Sequence, residues 1–289
     1  MDDMNDEMSP VIKRLSRDLV KAAATLSTDE ARFLVDSYYQ MQTDRQRAAS
    51  QVRSMEKKEP HITLSWLQEQ SGTLEKQIQR ALQSYAEADQ VGQWMMGLYG
   101  IGPIIAAGML AHIDMKQAPT VGHIWRYAGL DPTDTWGTGE KRPWNASLKT
   151  LCWKTGQSFM KFSNAEECVY GHMYKERKEY EIKRNESGNN KEAAANILKT
   201  KNFKKNTEAY KCYIQGKLPP AHIDARARRY ATKIFLSHLH AVWFWVLNKK
   251  LAPRPYMMEY GGHVHYVPIP NADLVPGLEE ALRKEQRGS

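Results

Sequence analysis

The run Leu98-Tyr99-Gly100-Ile101-Gly102-Pro103-Ile104-Ile105-Ala106-Ala107-Gly108-Met109-Leu110 joins two apolar helical patterns through a glycine-rich bend. Trp94, Met95 and Leu98 supply apolar bulk before the bend, and Ile104, Ile105 and Leu110 supply it afterwards. Glycine permits positive φ and close backbone approach, so Gly100 and Gly102 suit a tight turn. Pro103 fits the first position of a helix, where its missing N–H costs nothing. Ala106, Ala107 and Gly108 let the two helices pack closely. The spacing predicts a helix-hairpin-helix whose second helix opens with free amides and the positive end of its dipole, a ready site for a phosphate.

Helical signals continue on both sides of this bend. Ser9, Pro10, Ile12, Leu15, Leu19 and Val20 predict a helix over 9–24. Ser27-Thr28-Asp29-Glu30 is a capping box for a second helix, with Phe33, Leu34, Tyr38 and Met41 as its apolar side. In residues 62–96, Leu64, Ser71, Ile78 and Tyr85 recur every seven positions, and so do Leu67, Leu74 and Ala81. This a/d pattern fits a coiled-coil dimer seam and equally a helix packed inside its own domain. Past the bend, 120–130 reads as a helix ending at Ala128-Gly129-Leu130-Asp131-Pro132, and 133–145 as a polar, glycine-rich loop. Asn145 is placed to cap a helix through Leu148, Leu151, Cys152 and Phe159. Residues 185–217, rich in Asn, Lys and Glu, read as a mobile basic insert. Ala225 to Leu247 reads as a final helix burying Ile234, Phe235, Leu239, Val242, Trp243 and Val246.

The expected fold is therefore mainly α. It is a helical bundle with N-terminal helices and a coiled coil, a helix-hairpin-helix core and a C-terminal helix. The expected segments are an N-terminal helical pair (1–60), a coiled-coil-like helix (61–97), the helix-hairpin-helix core (98–184), a basic polar insert (185–220) and a C-terminal helix with its tail (221–289).

Composition narrows the function classes. The 289 residues include 41 Lys+Arg against 33 Asp+Glu, a net charge of +8, with 42% hydrophobic residues. That apolar content supports a core and excludes global disorder. No apolar run approaches the roughly 18 residues of a membrane helix. The acidic start Met1-Asp2-Asp3 is not a secretory signal, and Cys152, Cys168 and Cys212 form no disulfide framework, which fits the cytoplasm. A positive balance favours polyanionic partners.

The expected DNA-contacting residues are Gly100, Ile101 and Gly102 in the bend, then Lys141, Arg142, Trp144 and Lys149. Arg142 suits phosphate and Trp144 suits a base face. Lys154 extends this basic side, and Lys199, Lys201, Lys204, Lys205 and Lys211 form a second cluster. Arg228 and Arg229 are read as lying near the start of the last helix, where the dipole disfavours cations and an external anion would relieve them. His238 and His240 point to different helical faces, whereas His263 and His265 could share one face of an extended piece. Without further ligands nearby, no metal or cofactor is expected.

The string Gly100-Ile101-Gly102-Pro103, Ala106, Ala107, Leu110, Ile113, Trp125-Arg126-Tyr127-Ala128-Gly129-Leu130-Asp131-Pro132, Asn145, Leu148 and Lys149 resembles a known family. It is similar to the C-terminal half of bridge-RNA-guided insertion-sequence transposases of the 110/116/902 group, over residues 62–182. The resemblance implies a mobile-element or phage protein acting on duplex or branched DNA, with RNA as a further candidate partner. That family also carries a resolvase-like nuclease half with four metal-holding acidic residues, which the helical residues 1–60 do not match. Its nucleophilic serine follows the Gly-Leu-x-Pro step. Here Thr135 and Thr138 stand nearest, and no serine lies in that loop. The resemblance therefore implies DNA binding, its departures argue against autonomous transposition, and the heptad pattern points to a homodimer. Two enzymatic readings stand beside it. One is a glycosylase-like or base-modifying enzyme of phage DNA hypermodification that flips a base toward Asp114 or Asp131. The other is a residual recombinase using Thr135 or Thr138.

Overall fold

The computed structural model describes residues 14–55, 62–137, 139–254 and 267–288. Among them are twelve α-helices and no strand, so the fold is mainly α, as the periodicities predict. The chain divides into two compact units. One holds the residues up to Met96 together with Gly102–Ile113, and the other holds Gly97–Ile101 and the residues from Asp114 on.

The first unit begins with α1 (Arg17–Ala22), capped by Ser16 accepting from the Leu19 amide. Ser9, Pro10 and Ile12 lie outside the described residues. The capping box forms as read. The Ser27 amide donates to Glu30 Oε2 at 2.8 Å, and the Glu30 amide donates to Ser27 Oγ at 3.3 Å. It opens α2 (Thr28–Met55), which packs against α3 (Ile62–Glu87). The inward side of α2 runs through Ala31, Val35 and Ala48, while Leu34, Tyr38 and Met41 of the expected apolar side are half-buried. Small residues at that contact bring the helices close and leave Phe33 70% exposed, which corrects its expected burial. Ala81, Leu82 and Ala86 of α3 are buried. The heptad seam splits: Ser71 is buried, whereas Leu67 and Leu74 stay on the surface. Arg45 Nε pairs with Glu75 Oε2 at 2.5 Å across the two helices.

The 62–96 pattern bends at Asp89, whose carboxylate accepts from the Val91 and Gly92 amides at 2.7 and 3.1 Å. This cap starts α4 (Gln90–Met96). Gly92 sits so close to the Ala86 carbonyl that a Cβ would overlap it. Helix α5 (Pro103–His112) is buried almost throughout, from Ile104 and Ala106 to His112, and forms the core of this unit with α2 and α3.

In the second unit, α11 (Pro220–Asn248) packs against α6 (Val121–Tyr127), α7 (Ala146–Lys161) and α8 (Val169–Glu186). It buries Ala227, Ala231, Phe235, Leu236, Leu239 and Val242. Ile234, Trp243 and Val246, expected inside, are only half-buried because they flank that stripe. Phe159, Tyr170 and Phe235 pack as an aromatic trio with centroids 4.9, 5.7 and 5.5 Å apart. Such pairs add about 0.5–1.5 kcal/mol each beyond their burial. Beside them lie two polar clusters. Asp224 accepts from Tyr174, from Lys178 at 3.1 Å and from Arg228 at 2.7 Å. Glu181, 1% exposed, holds Arg177 at 2.5 Å and Arg226 at 3.2 Å.

Residues 185–217, read as a mobile insert, are instead helical. α9 (Lys191–Thr200) and α10 (Glu208–Ile214) enclose a small core of Ala194, Tyr213, Leu218 and Ile223. Ala193, Ile197, Leu198 and Phe203 pack against it, and the lysines stay outside. Helix α12 (Leu278–Gly288) completes the described chain.

Candidate nucleic-acid interface

The bend after α4 is held by its carbonyls. Gly100 adopts φ +94°, which glycine alone takes without strain. Its carbonyl accepts from Ser158 Oγ at 2.5 Å, the Tyr99 carbonyl accepts from Cys168 Sγ at 3.6 Å, and the Gly97 carbonyl accepts from Asn271 Nδ2 at 2.8 Å. Ile101, expected among the contacting residues, is 5% exposed, and its amide donates to the Leu98 carbonyl. It anchors the bend and offers neither side chain nor amide outward. Gly102 is exposed and extended, with nothing within 4 Å of where a Cβ would stand. It caps α5 without a side-chain hydrogen bond, and the first backbone bond of that helix runs from the Ala106 amide to the Gly102 carbonyl. The Ile104 and Ile105 amides are thus the orphan donors of a helix start.

Helix α6 ends as its Ala-Gly-Leu-Asp-Pro sequence dictates. Gly129 takes φ +63°, the Leu130 amide donates to the Trp125 carbonyl at 2.8 Å, and the Gly129 amide donates to Arg126 at 2.9 Å. This is a Schellman stop. A Cβ on Gly129 would meet Trp144 Cγ at 2.8 Å and Lys149 Cδ at 3.0 Å. Gly129→Ala is therefore expected to cost about 1–2 kcal/mol through backbone strain alone and to shift Trp144. Denaturant titration and near-ultraviolet circular dichroism check this; an unchanged midpoint and unchanged tryptophan signal would contradict it.

The loop that follows folds back on helix ends. Asn145 caps α7 by accepting from the Leu148 amide at 2.8 Å, as its sequence position predicts, and donates to Tyr127 Oη at 2.9 Å. Trp136 Nε1 donates to the Glu140 carbonyl at 2.7 Å. Asp134 pairs with Arg126 at 3.2 Å with its side chain only 6% exposed.

Cations and indoles alternate over this surface. The Arg142 guanidinium lies 4.9 Å from the Trp136 ring, Lys149 Nζ 3.8 Å from Trp144, and Lys233 Nζ 4.0 Å from Trp125. Trp136 meets Trp144 edge-on at 6.4 Å. Burial first, then the charges of Arg229 and Arg142, push the Lys149 pKa down. Lys233 is lowered by burial and by Arg229, against the pull of Asp131. Arg229 is lowered by desolvation, then by Arg226 and Arg228. Like charges pressed together in this way are relieved by an external anion. Lys141 is exposed at the edge of the same loop.

Arg228 is different from its neighbour. Because α11 starts at Pro220, five residues before the expected Ala225, Arg228 lies in its third turn, away from the dipole's positive end. It is held by Asp224 at 2.7 Å, so the expected conflict with the helix dipole does not arise. The sequence showed only the arginine pair. The i,i+4 carboxylate at Asp224 was the signal that separates Arg228 from Arg229.

Of the candidate catalytic residues, Asp114 and Asp131 make local hydrogen bonds. Asp114 caps a short 3-10 turn through the Lys116 amide and accepts from Gln117. Asp131 accepts from the Thr133 amide at 2.9 Å and hydroxyl at 2.7 Å, and these bonds hold its carboxyl below the usual range. Thr135 is exposed, with no hydrogen-bonded base among the described residues, and Thr138 lies outside them. No group of three or more His, Cys, Asp or Glu forms a metal-binding cluster among the described residues. His238 and His240 have separate partners, Tyr170 with Val267 and Ala118, while His263 and His265 lie outside the described residues. Burial raises the Cys152 thiol to about 12, which makes it inert. No helix among the described residues is long and apolar enough to cross a membrane.

Residues 92–150 match the model of the Transposase IS116/IS110/IS902 family. The match takes in most of α4, the glycine bend, α5, α6, the tryptophan-rich loop and the Asn145 cap. It lies within the 62–182 span of the sequence resemblance and covers well under half of the chain. No curated protein and no solved structure matches. The transposase-like segment thus contains the bend and most of the cation–indole surface, while Arg229 and Lys233 come from α11, outside it.

Proposed function

We propose that this protein binds nucleic acid in a mobile element. It grips the backbone through Lys141, Arg142, Lys149 and Arg229 of the second unit, with Gly102 at the start of α5 as a separate contact of the first, and it carries no autonomous strand-transfer activity. The observation that carries this reading is the crowding of Arg142, Lys149 and Arg229 within and beside the transposase-like segment. Phosphates neutralise such a cluster, and contacts of this kind position a protein without reading sequence. The bend supports the same reading, since its carbonyls are occupied internally while Gly102 stands open. Two placements weigh against catalysis by this chain alone. Asp131 is committed to Thr133, and Thr135 has no hydrogen-bonded base among the described residues.

A salt titration of binding to a short duplex tests this. Four phosphate contacts give a slope of about −3.6 in log K against log salt. Replacing Lys141, Arg142, Lys149 and Arg229 by Gln is expected to bring that slope close to zero. Affinity that ignores salt in the unaltered protein overturns the proposal.

A further inference from the structure

We propose that the cation–indole surface of the second unit takes unpaired nucleotides, with Trp136 and Trp153 stacking on bases while Arg142, Lys149, Arg229 and Lys233 hold the flanking phosphates. The inference rests on the nucleic-acid reading above and names the form of nucleic acid bound. A paired duplex offers phosphates to a protein surface and keeps its base faces stacked on each other. Cations alone are enough to hold it. This surface carries more than cations. Trp136 is 42% exposed and Trp153 is 58% exposed, so both indoles present ring surface that a base can stack on.

The hydrogen bonding of the rings points the same way. Trp136 has already given its N–H to the Glu140 carbonyl, and Trp125 has given its N–H to the Lys233 carbonyl. What these rings still offer is π surface, which suits a base face of any identity. Trp153 stands four residues after Lys149 on α7, so the two share one helical face. Arg229 and Lys233 are likewise four apart on α11. Each indole of this surface thus has a cation against its ring or one helical turn away, the combination that an unpaired base and its phosphate require. Stacking on an aromatic side chain is worth about 1–3 kcal/mol per base, roughly a 5- to 150-fold change in affinity.

The experiment measures fluorescence anisotropy of labelled oligothymidylate, oligouridylate and a duplex, each about 15 nucleotides long. It uses the full chain and the Trp136→Ala/Trp153→Ala and Trp136→Phe/Trp153→Phe variants, and follows intrinsic tryptophan quenching in parallel. The expected result is tighter binding of a single strand than of duplex, with tryptophan quenching. The alanine variant loses at least tenfold of that preference, and the phenylalanine variant keeps most of it. Oligothymidylate and oligouridylate binding alike assigns the surface to unpaired strands of either sugar; a gap between them assigns it to one. Salt-sensitive duplex binding with no single-strand preference overturns this inference and leaves the nucleic-acid reading standing. An equal loss on duplex and single strand in the alanine variant also overturns it. Failure to bind any of the three overturns both. Denaturation midpoints within error of the unaltered protein confirm that the variants fold.

Discussion

Replacing Glu181 by alanine lowers the stability of the second unit by about 3–5 kcal/mol. Glu181 is 1% exposed and is the shared acceptor of Arg177 on its own helix and Arg226 on α11. Arg226 also donates to Asn190 Oδ1 at 3.0 Å, Asn190 donates to Asn185, and Asn185 exchanges two hydrogen bonds with the Leu218 backbone. One carboxylate therefore joins α8, the start of α9, the segment leading into α11, and α11 itself. Removing it leaves two guanidiniums facing each other without a counter-charge, and the loss is larger than the net worth of the original pairs. Glu181→Gln keeps the shape and loses the charge, so a smaller loss is expected. Urea titration followed by far-ultraviolet circular dichroism reads both. A loss below about 1 kcal/mol, the size of an exposed pair, would contradict the argument.

Stability is also expected to fall in acid through His238. Its Nε2 meets the Val267 carbonyl at 3.1 Å, and a carbonyl only accepts, so Nε2 carries the proton. Its Nδ1 is then free to accept from Tyr170 Oη at 2.9 Å. Both ring nitrogens are satisfied only in the neutral form. Burial lowers the pKa from 6.5 to about 4. The native state therefore resists a proton that the unfolded chain takes readily. The stabilisation is complete above pH 6.5 and is lost as pH falls from there to about 4. The amount is roughly 3 kcal/mol. His112, His222 and His240 are lowered by burial as well and add to the acid slope. The comparison with His238→Gln isolates the one residue, because the variant is expected to lose less stability between pH 7 and pH 4.5. Parallel slopes in the two proteins would contradict the assignment.

Local signals in the sequence carried well into the structure. Ser27 and Glu30, the Asn145 cap and the Gly129 stop are each fixed by residues within a turn of one another, so their chemistry is legible without knowing the fold. The glycines of the bend at 100–102 were legible in the same way, whereas the side chains that hold its carbonyls were not. What the sequence hid depends on partners far along the chain. Glu181 finds Arg226, and Asp224 finds Tyr174 and Lys178, across 45 to 50 residues. The polar composition of 185–217 concealed a narrow apolar stripe, which becomes a core only when Ile223 of the next helix closes over Tyr213 and Ala194. The shift of the α2 stripe from Phe33 to Val35 has a related origin, since small residues outrank large ones where two helices meet closely. In the candidate interface, Arg142, Trp144 and Lys149 were visible as a local cluster. The pairings of Trp136 with Arg142 and of Trp125 with Lys233 were not, because ring-to-cation approach is a property of folded geometry.

The three clamps on the glycine bend come from Ser158, Cys168 and Asn271, all downstream of residue 150. The segment 92–150 that matches the transposase model therefore does not own the restraints that shape its most conspicuous corner. Cut out by itself, it would keep the glycines but lose the hooks that fasten their oxygens, and the corner would become one loop conformation among many. Its geometry is on loan from the remainder of the polypeptide, so grafting that portion elsewhere calls for transplanting those distant side chains with it.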